Sequence, residues 1–352
     1  EISGMPEVVE NVVYTISFSG SDRAGNLAEK VSVSGITYDF TPPEIALTFP
    51  ESGMAVNHKE ISFSLSEDLL SGTAVWTRTG GSADPRSPHK QPLTGNELNQ
   101  GEKSRRVIAR APLLVDGSIY SLSISGSDPA GNQSNVPLME NILYDITAPV
   151  ITAISPNDDE YIPTPAVRFS VSEDIEQGSV VYRRVGGKPD SNAPYVFGLE
   201  NGLLKKGEHA DVFLTGGPEL VEQGIYTIEF SGRDRAENAS PEETIQRVIF
   251  DSTPPELTVA IPKENSAVNH LMVSLGNSEN LKTASMIWTQ TGGNLDQSSP
   301  RIVQLDGGEL NEGFSENILL KNRPSLVDGA VYDLKYFASD FAGNTSDTVH
   351  IR

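Results

Sequence analysis

The sequence contains no cysteine among its 352 residues, so neither disulfides nor thiolate metal sites can hold it together. It also lacks a long hydrophobic run, since no stretch approaches the roughly 20 apolar residues of a membrane helix. Basic residues are scarce, with 26 Lys and Arg against 48 Asp and Glu. The formal charge of -22 repels polyanions and anionic membranes and attracts cations. We therefore expect no nucleic-acid partner and no membrane insertion in this segment.

The chain does contain a repeated sequence motif. "SGSDRAGN" at residues 19 to 26 returns as "SGSDPAGN", "SGRDRAEN" and "ASDFAGN". A spacing of 106 residues, without insertion, separates the Asp residues of the four copies, Asp22, Asp128, Asp234 and Asp340. A period of this length is one domain, longer than the unit of most solenoids. The repeat predicts domains at 39–144, 145–250 and 251–352, termed repeats 1, 2 and 3, preceded by the C-terminal part of a truncated repeat at 1–38.

Each repeat is written in short runs of alternating apolar and polar residues, such as "EIALTF", "EISFSLSE" and "IYSLSISGSD" in repeat 1. This alternation is typical of half-buried strands, and Gly, Pro, Asn and Asp crowd the gaps. About seven strands per repeat predict an all-β fold of immunoglobulin-like or fibronectin III-like β-sandwiches. The proline-rich junctions "DFTPP", "DITAP" and "DSTPP" restrict φ and exclude ladder hydrogen bonds, which favours an extended rod.

The two motifs together carry a resemblance. Repeats of about a hundred residues that begin after "DxTPP" and carry "DxAGN" between their last two strands resemble the bacterial Ig-like tandem repeats of large extracellular surface proteins and adhesins. The resemblance covers the whole chain. It implies a domain architecture but does not indicate a particular ligand. It implies an extracellular location at a bacterial cell surface. Repeat 2 departs from the motif at Glu237, where the other copies have Gly, so a left-handed turn there is expected to be strained.

Catalytic signatures are absent. The five His residues form no metal-binding pair at helical spacing, and the sequence has no "GxSxG", "HExxH" or phosphate-binding glycine loop. The adjacent acids Glu67 and Asp68 suggest acid and base chemistry, but an equivalent pair recurs in each repeat as part of the same loop. An active site copied into every unit of an array is not expected, so we predict that this chain is not an enzyme.

The acidic loops instead predict cation sites at the junctions. In an immunoglobulin-like sandwich the BC and FG loops lie at the end where strand A begins, and the EF loop of the preceding repeat faces the same junction. Two carboxylates about 6 Å apart repel by roughly 3 kcal/mol at an effective dielectric near 20. Oxygen ligands without His or Cys favour Ca²⁺ over Zn²⁺. The alternative is that these acids are solvated and bind no ion.

Each predicted ligand set combines an acid of the EF loop, the Asp of the connector, the acids of the BC loop, and the Asp and Asn of the FG loop. The first comprises Glu10, Asp39, Glu67, Asp68, Asp128 and Asn132. The second comprises Asp116, Asp145, Glu173, Asp174, Asp234 and Asn238. The third comprises Glu222, Asp251, Glu279, Asp340 and Asn344. In the third set Asn280 replaces one acid, which predicts a weaker site.

Aromatic residues at one position of strand C, Trp76, Tyr182 and Trp288, also follow the period. We predict that they pack in the cores, and the alternative is an exposed platform for sugar rings. The stretch after strand C, "SADPRSPHKQ" in repeat 1, varies most between repeats. We interpret it as a loop without function, and the alternative is a ligand-binding surface. The "DxAGN" phrase itself is predicted to turn a hairpin, in which Asp128 caps backbone amides and Gly131 accepts positive φ.

These features favour a non-catalytic structural repeat segment of an extracellular bacterial surface filament, stalk or adhesin, which spaces a distal binding region from the cell. The alternative function is that of carbohydrate-binding or protein-binding Ig-like modules, including modules accessory to a secreted enzyme. The expected partners are neighbouring repeats of the same chain, other copies in a filament, and a cell-surface protein or glycan. Ca²⁺ is the only expected cofactor.

Overall fold

The computed structural model describes residues 4, 6–108, 110–214 and 216–352. These residues form strands and three short 3-10 helices, at Gly95–Leu98, Asn201–Leu204 and Gly307–Leu310. Within the described ranges, none of the helices has the length and apolar character needed to cross a membrane. The chain divides into two compact units, the first comprising 1–148 with 234–238 and the second 149–233 with 239–352.

The N-terminal segment is an antiparallel pair of strands, β1 (Val13–Phe18) and β2 (Val31–Thr37). Ile16 and Phe18 on β1 are 45% and 58% exposed. Residues 106 positions later, Leu122 and Ile124, are fully buried. The same apolar pattern therefore has different environments, because the described part of the N-terminal segment contains only one sheet and a complete repeat contains two.

Repeat 1 is a sandwich of two sheets. The smaller sheet has the order β3-β5-β8, with β3 at Ile45–Phe49, β5 at Ile61–Leu65 and β8 at Gly101–Arg106. The larger has the order β4-β10-β9-β6-β7, with β4 at Ala55–Val56, β6 at Ser71–Gly81, β7 at His89–Pro92, β9 at Ser118–Ser127 and β10 at Leu138–Tyr144. Both sheets contribute to one core, which includes Phe63 and Leu122. The strands correspond to A-B-E facing A′-G-F-C-C′.

Repeat 2 has the same plan. Its smaller sheet is β11-β13-β16, with β11 at Ile151–Ser155, β13 at Val167–Val171 and β16 at Gly207–Val212. Its larger sheet is β12-β18-β17-β14-β15, with β12 at Tyr161–Ile162, β14 at Gln177–Gly187, β15 at Tyr195–Gly198, β17 at Gly224–Arg233 and β18 at Glu243–Phe250. The alternation of β17 buries Tyr226, Ile228 and Phe230 completely.

Repeat 3 keeps both sheets. Its smaller sheet is β19-β20-β23, with β19 at Leu257–Ile261, β20 at Met272–Asn277 and β23 at Gly313–Leu319. Its larger sheet is β22-β21-β24-β25, with β21 at Thr283–Gly293, β22 at Arg301–Gln304, β24 at Ala330–Ser339 and β25 at Val349–Ile351. The prediction of an all-β, immunoglobulin-like or fibronectin III-like fold is confirmed.

The strand C aromatic residues lie in the cores. Trp76, Tyr182 and Trp288 are 1%, 0% and 7% exposed. The prediction of core packing is confirmed, and these three residues cannot form a platform for sugar rings.

Candidate metal centre

The FG loop of each repeat is built around one buried Asp. In repeat 1, Oδ1 of Asp128 accepts hydrogen bonds from the backbone amides of Gly131 at 2.7 Å and Asn132 at 2.9 Å. Oδ2 accepts from Nδ2 of Asn132 at 2.8 Å. Burial raises the pKa of Asp128, but the hydrogen bonds from Asn132 and Gly131 outweigh it, so the pKa of this carboxyl is lowered. Asp128 therefore stays charged inside the loop.

The motif Asn links this loop to the start of its own repeat. Nδ2 of Asn132 donates to the carbonyl oxygen of Asp39 at 3.3 Å. Asn344 makes the same hydrogen bond to Asp251 at 2.9 Å. The Nδ2 atoms of these Asn residues therefore hold the connector against the FG loop, and the role of the Asn residues as ligands stays a prediction.

The left-handed turn in the loop is present in all three repeats. Gly131 and Gly343 have φ of 98° and 90°, and Glu237 has φ of 73° at the equivalent position. The loop of repeat 2 does not relax to negative φ. Glu237 therefore has the strained left-handed backbone that a residue with a Cβ disfavours.

The EF-loop acids hold the connectors by hydrogen bonds. Asp116 accepts from the amide of Ile146 at 2.7 Å and from Oγ1 of Thr147 at 2.6 Å. Glu222 accepts from the amide and hydroxyl of Ser252, at 3.1 Å and 2.9 Å. Glu10 accepts likewise from Phe40 and Thr41. These acids therefore lie at the connectors, as their positions in the EF loops predict.

The first acidic cluster comprises Asp39 of the connector, Glu67 of the BC loop and Asp128 of the FG loop. One carboxylate oxygen from each lies within 4.8 Å of the other two. Burial, Asp39 and Asp128 raise the pKa of Glu67, in that order of importance. Three converging carboxylates and a raised pKa show that negative charge is crowded at this point.

The equivalent cluster in the second unit comprises Asp251, Glu279 and Asp340, again with oxygens within 4.8 Å of one another. Burial and the charges of Asp251 and Asp340 raise the pKa of Glu279 to about 7. Burial and Glu222 raise the pKa of Asp251 to about 6. Oε1 of Glu222 is buried and receives no hydrogen bond from the described residues. Glu222, Asp251 and Glu279 line one side of a groove of about 270 Å³.

The second predicted set is divided between the units. Asp116, Asp145, Asp234 and Asn238 belong to the first unit, and Glu173 and Asp174 belong to the second. Within the first unit, Nδ2 of Asn238 donates to Oδ2 of Asp234 at 2.8 Å and to the carbonyl of Asp145 at 3.0 Å. Burial and the charge of Asp234 raise the pKa of Asp145. The connector and FG loop therefore meet here as they do in the other repeats.

The second residue of each BC-loop pair, Asp68, Asp174 or Asn280, accepts hydrogen bonds from the chain before strand E. Oδ1 of Asp68 accepts from the amide of Gln100 at 2.7 Å. Asp174 accepts from the amide of Lys206 and from Nζ of Lys205, and Oδ1 of Asn280 accepts from the amide of Glu312 at 2.9 Å. This position fixes the chain that enters strand E. Asn280 makes the same hydrogen bond as Asp68, and the expectation of a weaker third site stays a prediction.

The loop after strand C contains a polar network that the sequence interpretation missed. Oδ2 of Asp84 accepts from Oη of Tyr120 and from Nε2 of His89, both at 2.6 Å. Oη of Tyr120 in turn accepts from the amide of Val115 at 2.9 Å. Repeats 2 and 3 contain the pairs Tyr226–Asp190 and Tyr332–Asp296 at 2.7 Å and 2.8 Å. This stretch therefore has a structural role that the sequence interpretation did not include, because its Asp is hydrogen-bonded to the Tyr of strand F.

Comparisons with known proteins give no functional assignment. No protein-family model and no curated protein matches the chain. Among solved structures it is similar to the FN1-FN3 domains of chicken CNTN1, with 11% identity, a TM-score of 0.27 and coverage of 88% of this chain and 99% of that one. It is similar to native alpha-2-macroglobulin from Escherichia coli, spanning domains MG0-NIE-MG1, with 10% identity, a TM-score of 0.24 and coverage of 88% and 97%. It is also similar to dimeric latent PorU from Porphyromonas gingivalis, with 11% identity, a TM-score of 0.23 and coverage of 93% and 35%.

Proposed function

We propose that this chain is a non-catalytic structural segment of an extracellular bacterial surface filament, stalk or adhesin, and that Ca²⁺ bound at the connectors stiffens it. One observation carries the proposal. The cluster of Asp39, Glu67 and Asp128 recurs as Asp251, Glu279 and Asp340, with the same elements supplying each carboxylate. Because the same residue set recurs beside the connector that begins each of these domains, a structural role at the connectors is favoured over catalysis.

The chemistry of the cluster favours a hard divalent cation. Every candidate ligand is a carboxylate oxygen, which suits Ca²⁺, and the chain offers no thiolate. Burial is the largest cause of the raised pKa values of Glu67 and Glu279, and the charges of the neighbouring carboxylates raise both pKa values further. A cation would offset the repulsion between these charges and would allow all three carboxylates to be ionised.

Bound Ca²⁺ would join three separate pieces of chain. Asp251 lies in the connector, Glu279 in the BC loop and Asp340 in the FG loop of repeat 3. The hydrogen bond of Asn344 to Asp251 already holds two of these pieces together. An ion ligated by all three carboxylates would restrict the connector further, so that the distance between the ends of the segment becomes better defined.

Small-angle scattering of the full chain in Ca²⁺ and in EDTA tests this proposal. We expect the maximum dimension to be larger and the distance distribution narrower with Ca²⁺, and we expect the double variant E67Q/E279Q to behave in Ca²⁺ as the wild type does in EDTA. Identical scattering under all four conditions would contradict a structural ion.

The alternative proposal is a carbohydrate-binding or protein-binding module, including one accessory to a secreted enzyme. Burial of Trp76, Tyr182 and Trp288 argues against sugar stacking on these residues. Saturable quenching of Trp fluorescence by a saccharide would favour the alternative over a purely structural role.

A further inference from the structure

The edge strand β15 of repeat 2 (Tyr195–Gly198) differs from the equivalent strand of repeat 1, whereas β22 of repeat 3 also lacks Lys and Pro at the two positions concerned. Strand β15 ends the sheet and pairs on one side with β14. An edge strand presents free N–H and C=O groups that pair with added strands unless Lys, Pro or covering chain protects them. The equivalent strand β7 of repeat 1 carries Lys90 and Pro92, whereas β15 has Val196 and Gly198 at those two positions.

A groove of about 250 Å³ with a mixed polar and apolar lining lies beside this edge. Its apolar side chains are Val196 and Phe197 of β15 together with Leu203, Phe213 and Leu214. Phe213 is 64% exposed and Val196 is 66% exposed. In repeat 1 the residue at the position of Phe197 is Gln91, whose Nε2 donates to the carbonyl of Arg110 at 2.6 Å and so joins the edge strand to the chain after strand E. Phe197 has no donor for such a bond.

The side chains on the two faces of β15 determine which residues an added strand would contact. Phe197 is paired with the core residue Val180, and Val196 with the outward-facing Val181. Because side chains alternate along a strand, residues of an added strand would lie in turn on the face of Phe197 and on the face of Val196, and both of these residues line the groove. Backbone pairing with apolar side chains at alternate positions is the usual mode of strand addition.

The charges around the groove select the partner. Glu200 lines the groove just after β15. At the start of β15, outside the groove lining, Oη of Tyr195 donates to Asp190 at 3.1 Å, and hydrogen bonds from Tyr226 and Asn192 outweigh burial and lower the pKa of this carboxyl. Repeat 2 carries 18 Asp and Glu against 9 Lys and Arg. A second copy of this chain would bring the same negative charge, whereas a basic segment would be attracted.

We propose that the β15 edge and its groove bind an extended peptide segment whose alternating apolar residues are flanked by Lys or Arg. The segment adds as a strand next to β15, with one set of side chains in the groove. The interaction is independent of the Ca²⁺ clusters and is compatible with a structural or a binding role for the chain.

Fluorescence anisotropy with the full chain tests the proposal, with the labelled octapeptide Lys-Val-Thr-Val-Thr-Val-Thr-Lys as probe. We expect saturable binding that V196K/G198P weakens by at least about tenfold, because these changes install the protective residues of β7. The matched control I302K changes the equivalent exposed position of repeat 3 and should alter the affinity by less than about twofold. Circular dichroism checks that both variants fold as the wild type does.

Two further probes separate strand addition from other binding. A peptide N-methylated at every internal residue cannot donate ladder hydrogen bonds, and one flanked by Glu reverses the charge, so we expect both to bind at least about tenfold more weakly. Absence of saturable binding, or equal binding of the methylated peptide, would overturn the proposal. A wild-type dimer that V196K/G198P dissociates would also overturn it, because the edge would then be occupied by a second copy.

Discussion

The phenol oxygen of Tyr120 lies 2.6 Å from Oδ2 of Asp84, and both residues are buried. Tyr120 is on strand F, and Asp84 is in the variable loop after strand C. Their hydrogen bond fixes that loop against the start of strand F, while the amide of Val115 donates to the same phenol oxygen. The pair recurs in repeats 2 and 3, so each sandwich carries its own polar anchor.

Replacement of this phenol should destabilise repeat 1. Tyr120→Phe leaves the amide of Val115 without its acceptor and removes one donor from Asp84, which costs about 1–3 kcal/mol of the free energy of unfolding. Urea unfolding followed by Trp76 fluorescence in a W288F background measures repeat 1 alone, since the chain has two Trp residues. The control Tyr38→Phe removes an exposed hydroxyl and should change this free energy by less than about 0.5 kcal/mol. Equal effects would contradict the role of the network.

Asp84 should make repeat 1 sensitive to acid. Burial opposes ionisation, but the hydrogen bonds from Tyr120 and His89 lower the pKa of Asp84 from 3.8 to about 2. A lowered pKa contributes stability that is present above pH 4 and is lost as the pH falls towards 2. Denaturation midpoints of the W288F protein at pH 5 and pH 2.5 should therefore differ less in Asp84→Asn than in the parent. An unchanged difference would assign the acid sensitivity to other groups.

Without Ca²⁺, repeat 3 should have the opposite pH dependence. The pKa of Glu279 is raised from 4.5 to about 7 and that of Asp251 from 3.8 to about 6. A raised pKa contributes stability below the pKa of the unfolded chain, and this stability is lost as the pH rises through 6 and 7. In EDTA, unfolding followed by Trp288 in a W76F background should show a more stable repeat 3 at pH 5 than at pH 8. Glu279→Gln should reduce that difference, and a parent protein equally stable at both pH values would contradict the crowding of charge.

Glu237 offers a test of backbone strain. Glu237 adopts φ of 73°, so Glu237→Gly should stabilise repeat 2 by about 1 kcal/mol. Glu237→Ala keeps the Cβ and should therefore not relieve the backbone strain. The difference between these variants separates the backbone effect from the contacts of the side chain. Hydrogen exchange of a peptide spanning 224–233 measures the stability of repeat 2, which contains no Trp to follow by fluorescence. The reciprocal Gly343→Glu, at φ of 90° with open space around the added Cβ, should destabilise repeat 3.

The 106-residue period made the fold and much of the candidate site predictable from the sequence. Strand alternation fixed the core faces, and topology placed Asp39, Glu67 and Asp128 at one end of the sandwich. The direction of a loop side chain is not predictable from the sequence, so the hydrogen bonds of Asp68 to Gln100 and of Asn132 to Asp39 could not be foreseen. The Tyr120–Asp84 pair left a signal, because both positions follow the period, but their contact depends on how the variable loop folds back.

The stability of repeat 3 with and without Ca²⁺ tests the central claim most directly. In a W76F background at pH 8, the thermal midpoint reported by Trp288 should rise when EDTA is replaced by Ca²⁺. An excess of about 100 times the dissociation constant contributes about 2.7 kcal/mol of stability. Glu279→Gln should remove most of this rise, and Asp347→Asn, outside the cluster, should keep it. A midpoint that is the same in Ca²⁺ and EDTA would show that the carboxylates of Asp251, Glu279 and Asp340 converge without binding an ion.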